Sequence, residues 1–358
     1  MSLPNDLSVE ELTLLAELVA IPSPTGRVGE AAGWLIGQLR ALGFRADLDQ
    51  AGNVIATLEP ECERPPGGDI YLLGHLDTVA GFWTPSLARG RLSGRGASDA
   101  KGPLAAFVAA ALRALRLGLL RRRIWILAVP DEESDSAGAR WLAATLPPPA
   151  YLVVGEPSGS GRVVLGYRGS LRCRLELSRP GQHSSRPGPT TAELGLRAWS
   201  QARRGMGALN GVGSRFGALG THLLEIQSGS DGLRDWVRLE LGLRIPVRLG
   251  PDEVLAQLRA LVPGVRLEVI TSVPAAVVPR TGALPTLFAK AIASEGDPVV
   301  WQHRLAGSDL NVVLPTWSCP AVVYGPGQAE LDHTPRESIA LPDYARGIRV
   351  LTRVLSAL

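Results

Sequence analysis

Apolar residues recur along this chain at two periods, and the way those periods alternate predicts its architecture. Helical spacing begins after Ser8-Val-Glu-Glu11, a capping-box pattern, and ends before Ile21-Pro-Ser-Pro24, where two prolines forbid continuation. A second helical stretch, 28–42, stops at Gly43, and 44–48 with 53–58 read as a strand pair turning at Gly52-Asn53. A Pro/Gly-rich surface loop at 64–68 precedes the apolar run of 71–79. Further apolar runs at 124–129 and 151–154 also end in polar turns, and helical stretches follow residue 102 and cover 137–146. Strand, polar turn and helix in alternation predict an α/β sheet whose ligands gather at the carboxyl ends of its strands.

The texture changes near Arg168. Alternating patterns at 171–177, 223–228, 236–245 and 265–272 enclose helical ones at 191–205 and 251–261, giving the order βαββαβ of a ferredoxin-like α+β domain. From about Val277 the α/β texture returns, with a helix through Lys290, a Gly307-Ser-Asp-Leu-Asn311 turn, a short strand at 321–324 and a closing helix from Asp343. The expected division is therefore 1–167 and 277–358 for an α/β domain and 168–276 for a domain inserted into it. A chain of 358 residues exceeds the usual single-core size, in keeping with two domains.

Composition narrows the function classes. A 45% hydrophobic, 20% charged chain has the balance of a soluble globular protein. A net charge of +3 is too small to argue for nucleic acid, and the one basic run, Arg121-Arg-Arg123, leads into an apolar strand. Lys101 and Lys290 are the only lysines among 37 basic residues, which makes Lys101 conspicuous. Cys62, Cys173 and Cys319 are far apart and odd in number, against a disulfide framework or a thiolate metal site, and a reducing cytoplasm is the expected compartment. Acidic residues interrupt the N-terminal segment, so no secretory signal is expected, and no apolar run reaches the ~18 residues of a membrane span.

Candidate chemistry lies at the strand ends. In Gly74-His-Leu-Asp77 the histidine and aspartate are two residues apart, so continued strand geometry puts both on one face, where an imidazole can ligate a metal and a carboxylate can orient it. A structural His-x-Asp pair is the alternative for that segment alone. The segment Gly94-Arg-Gly-Ala-Ser-Asp-Ala-Lys-Gly102 lacks the endings of a P-loop or dinucleotide loop and instead brings Asp99 to the mouth of a helix. Pro130-Asp-Glu-Glu133, Gly155-Glu156-Pro157 and Leu331-Asp-His333 add further carboxylates and a second histidine. His75, Asp99, Glu133, Glu156 and His333 together form a nitrogen and oxygen ligand set suited to zinc, cobalt or manganese, and Glu132 is the spare carboxylate for a general base.

These segments, in this order, closely resemble the di-zinc aminoacylase and carboxypeptidase family, which includes acetylornithine deacetylase, succinyl-diaminopimelate desuccinylase and carboxypeptidase G. The resemblance implies a di-zinc exopeptidase-like domain with an inserted ferredoxin-like dimerisation domain and two Zn2+ per subunit, replaceable by Co2+ or Mn2+. It implies that His75, Asp99 and Glu156 hold one ion and Asp99, Glu133 and His333 the other. Asp77 would orient His75, Glu132 would shuttle the proton, and a cis peptide would follow Asp99. His183, in Gly181-Gln-His-Ser-Ser185, matches a histidine that reaches across a dimer, and Arg244 an arginine for the substrate carboxylate. His222 and His303 are read as structural. Ser308-Asp-Leu-Asn311 and the 325–335 segment look most like the members that release lysine from a small acidic amino-group carrier protein, with Ser308 and Asp309 near the substrate. Sister deacetylases acting on free small molecules, or a non-catalytic binding protein on the same fold, are the rival readings.

Overall fold

The computed structural model describes residues 4, 6–61, 68–183, 185–210 and 214–358; Cys62 and residues 64–67 of the loop expected there lie outside the described residues. The chain divides into two compact units, Met1–Leu165 with Val278–Gln302 and Ser308–Leu358, and Gly166–Val277 with His303–Gly307.

The first unit opens with α1 (Val9–Ala20), whose Ser8 and Glu11 make both bonds of the capping box, and α2 (Gly29–Ala41). Strands β1 (Arg45–Leu48) and β2 (Val54–Leu58) pair antiparallel, and β3 (Ile70–His75) is buried along its whole length. Two three-residue strands, β4 (Ser86–Ala88) and β5 (Arg91–Ser93), are too short to show a period, which is why the sequence pattern does not reveal them. Helix α3 (Lys101–Arg116) is alanine-rich and buried on almost every side, because small side chains let neighbours approach it from all directions. Strand β6 (Ile124–Val129), helix α4 (Ala137–Thr145), strand β7 (Tyr151–Gly155) and strand β8 (Arg162–Tyr167) follow.

The second unit is built from β9 (Gly169–Pro180), α5 (Thr191–Ala208), β10 (Gly220–Ser230), β11 (Arg234–Ile245), α6 (Pro251–Leu261) and β12 (Arg266–Val273). Its sheet runs β10-β11-β9-β12, all antiparallel, the ferredoxin-like order that βαββαβ predicts. Alternation decides its faces. Leu171, Cys173 and Leu175 stand opposite Leu243, Leu241 and Leu239 and pack with Ala202, Met206, Val254 and Leu258 of the two helices. The intervening residues put Arg174 opposite Glu240 and Glu268, and Glu176 opposite Arg238 and Arg266, so the other face carries a ladder of ion pairs. Strand β13 (Ala276–Val277) pairs back onto Gly166 and Tyr167, closing the unit where it opened.

The chain returns through α7 (Ala283–Ala293), β14 (Val300–Arg304), α8 (Leu310–Trp317), β15 (Ala321–Val323), β16 (Ser338–Ala340) and α9 (Leu341–Ala357). The pattern predicts only a turn at 307–311; the turn in fact opens α8, hidden because its run is apolar on nearly all sides and contains Pro315. In the main sheet, β1-β2-β6-β3-β7-β15-β8, strands β6, β3, β7 and β15 are parallel. The chain crosses from β3 to β6 on one side and then to β7 on the other, so the order reverses around β3, and a crevice opens at its carboxyl end. Among the described residues Cys173 and Cys319 are free, and no helix is long and apolar enough to cross a membrane.

Candidate metal centre

Parallel register brings the candidate ligands together. His75 is the last residue of β3 and pairs with Val129 of β6, while Gly74 pairs with Gly155 of β7. Glu132 and Glu133 lie just beyond β6 and Glu156 just beyond β7, so three neighbouring strands release their side chains at one edge. The 94–102 loop brings in Asp99, and the segment after β15 brings in His333. One oxygen of Asp99 lies 3.3 Å from His75 Nε2 and the other 3.0 Å from His333 Nε2. His333 Nε2 is also 2.8 Å from Glu133 Oε1. Two clusters result, His75 with Asp99 and Glu156, and Asp99 with Glu133 and His333, each with its ligand atoms within 4.8 Å of one another. Asp99 belongs to both. Imidazole and carboxylate donors without thiolate, converging at this spacing, fit two borderline or hard divalent ions sharing one carboxylate.

The geometry alters two details of the expectation. His75 Nδ1 faces the backbone carbonyl of Asp77 at 2.9 Å, with the Asp77 carboxylate farther off at 3.5 Å. Residue 77 thus fixes the imidazole mainly through its main chain. Its buried carboxylate also accepts the N–H groups of Glu132 and Glu133 and the Thr25 hydroxyl, fastening the turn that holds the spare carboxylate. Asp99 precedes α3 without capping it; its carboxylate faces the two imidazoles, and the peptide after it is cis. Burial opposes ionisation of Asp99, but hydrogen bonds from His333 and His75 overcome it and hold the carboxyl well below the usual carboxylate range. The same contacts to Asp99 and Glu133, against some burial, push the His333 imidazolium up to about 10. Burial first, and the charge of Glu156 second, raise Glu132 well above the ordinary glutamate value, and burial raises Glu156 likewise.

The glycine loop is shaped by close approach. A side chain at Gly102 would meet the Ala97 carbonyl oxygen at 2.4 Å, and Gly96, at φ +86°, would press on Lys101 and Thr78. Lys101 is buried, its Nζ donating to the carbonyls of Leu18 and Ile21, and burial pulls its ammonium down to about 7. Glu337, fully buried, accepts the N–H groups of Gly96, Ser98 and Asp99 and pairs with Arg95. Sequence reasoning misses both Glu337 and Arg95, because nothing in Thr334-Pro-Arg-Glu337 separates this carboxylate from a solvated loop residue.

The other candidates have different surroundings. Ser308 and Asp309 are buried at the start of α8. The Ser308 hydroxyl oxygen caps Leu310 N–H, whereas Asp309 Oδ1 has no hydrogen-bond partner, and burial, partly offset by His75, raises its carboxyl to about 6. In the second unit His183 is exposed. Its Nδ1 meets the Ser185 hydroxyl at 2.8 Å and accepts the Ser185 N–H, which leaves Nε2 to carry the proton and donate. Arg244, half-buried on β11, stands opposite Gly220 and close enough to Arg168 to disfavour that arginine's charge, after burial. His222 is exposed, and the His303 ring packs on Phe216.

Comparison with known proteins gives one consistent picture. The model of Peptidase family M20/M25/M40 matches residues 71–357. A Thermococcus kodakarensis protein provisionally named a LysW-lysine/LysW-ornithine hydrolase is 33% identical over 351 residues, 98% of this chain and 93% of its own. The LysW-lysine hydrolase of Deinococcus radiodurans is 31% identical over 354 residues, 96% of each chain. Among solved structures, a dinuclear metal-binding M20 peptidase of Bacillus subtilis covers 97% of both chains at TM-score 0.71 and 15% identity, a likeness of fold.

Because Asp99 is common to both clusters, Asp99→Ala is expected to lower the metal content from two ions per chain to none. Two ions retained on elemental analysis would remove Asp99 from its shared place. In the metal-free protein His333 titrates above the ~6.5 of an unfolded histidine, so its contribution to stability is complete below about pH 6.5 and is lost as pH rises through about 10. Metal needs the neutral ring, so affinity is expected to strengthen with pH, and uptake at pH 7.5 to release His333's proton. Calorimetry in two buffers of different ionisation enthalpy measures that proton; no release would exclude His333 as a ligand.

Proposed function

The chain belongs to peptidase family M20/M25/M40, and from that premise we propose that it frees lysine, or ornithine, from the carrier protein LysW by hydrolysing the amide that links them. It is a metal-dependent amidohydrolase. The observation that carries the reading is Asp99 standing between two ligand clusters with an uncommitted Glu132 beside them, in a chain similar over its whole length to LysW-lysine hydrolases.

His75, Asp99 and Glu156 would hold one ion and Asp99, Glu133 and His333 the other, with zinc the expected metal and cobalt or manganese as substitutes. Bound there, two divalent ions would polarise the scissile carbonyl and acidify the attacking water. Glu132, the carboxylate that neither cluster uses, takes the proton from the attacking water as the water's oxygen bonds to the carbonyl carbon. It then passes that proton to the leaving nitrogen, and the water's second proton follows to the amine, so that the amide splits into a carboxylate on the carrier and a free ammonium. Asp77 keeps the glutamate aimed by gripping two successive backbone N–H groups of its turn. His183, a donor at Nε2, is assigned to the oxyanion from the partner subunit of a homodimer formed through the inserted domain. Arg244 is assigned to the lysine carboxylate, and Asp309, whose Oδ1 is unpartnered, to its ammonium.

The test is side-by-side turnover of LysW-linked lysine, acetyl-lysine, acetyl-ornithine and succinyl-diaminopimelate by the zinc-loaded enzyme, with the carrier-linked substrate expected to have the highest kcat/KM. Faster cleavage of a free acetylated amino acid would make this a small-molecule deacetylase. Glu132→Gln is expected to keep both metals and slow turnover by ~10²–10⁴; near-normal turnover would take Glu132 out of the mechanism. Mixing His183→Ala chains with Glu132→Gln chains is expected to restore about a quarter of wild-type activity, since one site of each hybrid dimer has both residues. No recovery despite subunit exchange would confine His183 to its own subunit.

A further inference from the structure

We propose that Glu337, together with Arg95, is a positioning residue for the metal centre, a buried carboxylate that locks the Asp99 loop and the His333 segment to each other. The proposal rests on the two-metal reading. Glu337 Oε1 accepts three main-chain N–H groups, from Gly96 at 2.9 Å and from Ser98 and Asp99 at 3.1 Å each, while Arg95 Nη1 bonds Oε2. All four donors belong to the five-residue stretch that ends in Asp99. Three N–H groups converging on one anion form a small concave nest, and charge strengthens each bond where water is excluded.

The main chain of the same residue is tied in the other direction. Glu337 N–H donates to the Thr334 carbonyl, next to His333, and its own carbonyl accepts Gly94 N–H, extending the β16–β5 pairing. One side chain therefore sets the distance between two segments that supply ligands to the same cluster, Asp99 and His333. Arg95 carries the link outward, donating from Nε to the Gly81 carbonyl and stacking on the Trp83 ring at 5.2 Å. Glu337 touches neither an expected ion nor the substrate, so its effect has to pass through the geometry of Asp99 and His333.

The experiment compares full-length wild type with Glu337→Gln and Glu337→Asp, reading zinc affinity by chelator competition and thermal unfolding with and without zinc. Gln keeps an oxygen for the three N–H groups but loses the anion facing Arg95; Asp keeps the anion and withdraws it by one methylene. Zinc affinity is expected to fall ~10–100-fold in both, the range for residues that orient ligands, and the gap between zinc-loaded and zinc-free Tm to narrow. Folding of either variant, checked by circular dichroism, is enough for the test. Wild-type zinc affinity in a folded variant, with both Tm values lowered in parallel, would reduce Glu337 to a structural residue and overturn the proposal. Failure of the wild type to take up zinc would instead overturn the two-metal reading, and this proposal with it.

Discussion

The arrangement of the first unit depends on one electrostatic constraint: carboxylates gathered, buried or partly buried, where three parallel strands end. Asp77, Asp99, Glu132, Glu133, Glu156, Asp309 and Asp332 lie near one another there, beside the imidazoles of His75 and His333 and, at Asp309, the charge of Arg140. Without further positive charge they cannot all stay ionised, and burial together with mutual repulsion pushes Asp309 up to about 6 and Asp332 to about 8. A fold that keeps so many acids together is at odds with its own stability unless cations join it. Two divalent ions bound there would relieve that conflict.

Around this crowded edge the frame is correspondingly firm. The parallel strands are fixed by their register, which leaves His75, Glu133 and Glu156 little freedom to separate. The loops that bring the remaining candidate ligands have no such register, and here buried polar groups take its place. Asp77 holds the 132–133 turn, Glu337 holds the 95–99 loop, and Lys101 ties the start of α3 to the end of α1. Each is a charged group satisfied mostly by backbone, a connection that side-chain packing alone would give less directional control.

How much of this the sequence discloses follows from which interactions are local. The βαββαβ order of the second unit is legible because each strand alternates and each helix repeats within its own few residues, and the candidate ligands stand out because strand ends and turns announce them. The fourth residue after His333 announces nothing: Glu337 acquires its meaning from a loop some 240 positions earlier in the chain. Helix α8 was obscured for the opposite reason, a local pattern too uniformly apolar to show a period. Spacing puts Asp77 beside His75 but does not tell main chain from carboxylate.

That last distinction bears on how a general base can be both aimed and reactive. A carboxylate hydrogen-bonded directly to neighbouring side chains is well placed but poorly basic, because each bond favours the ionised form. Here the hydrogen bonds are made one step back: Asp77 grips the N–H groups of residues 132 and 133, and no such bond from Asp77 reaches the Glu132 carboxylate itself. The main chain supplies the orientation, while in the metal-free chain burial and the nearby charge of Glu156 raise the carboxyl above its ordinary value. Separating the two would let one glutamate stay fixed in direction yet exchange a proton, and it gives a reason for the complete burial of a carboxylate at residue 77 that touches no expected metal.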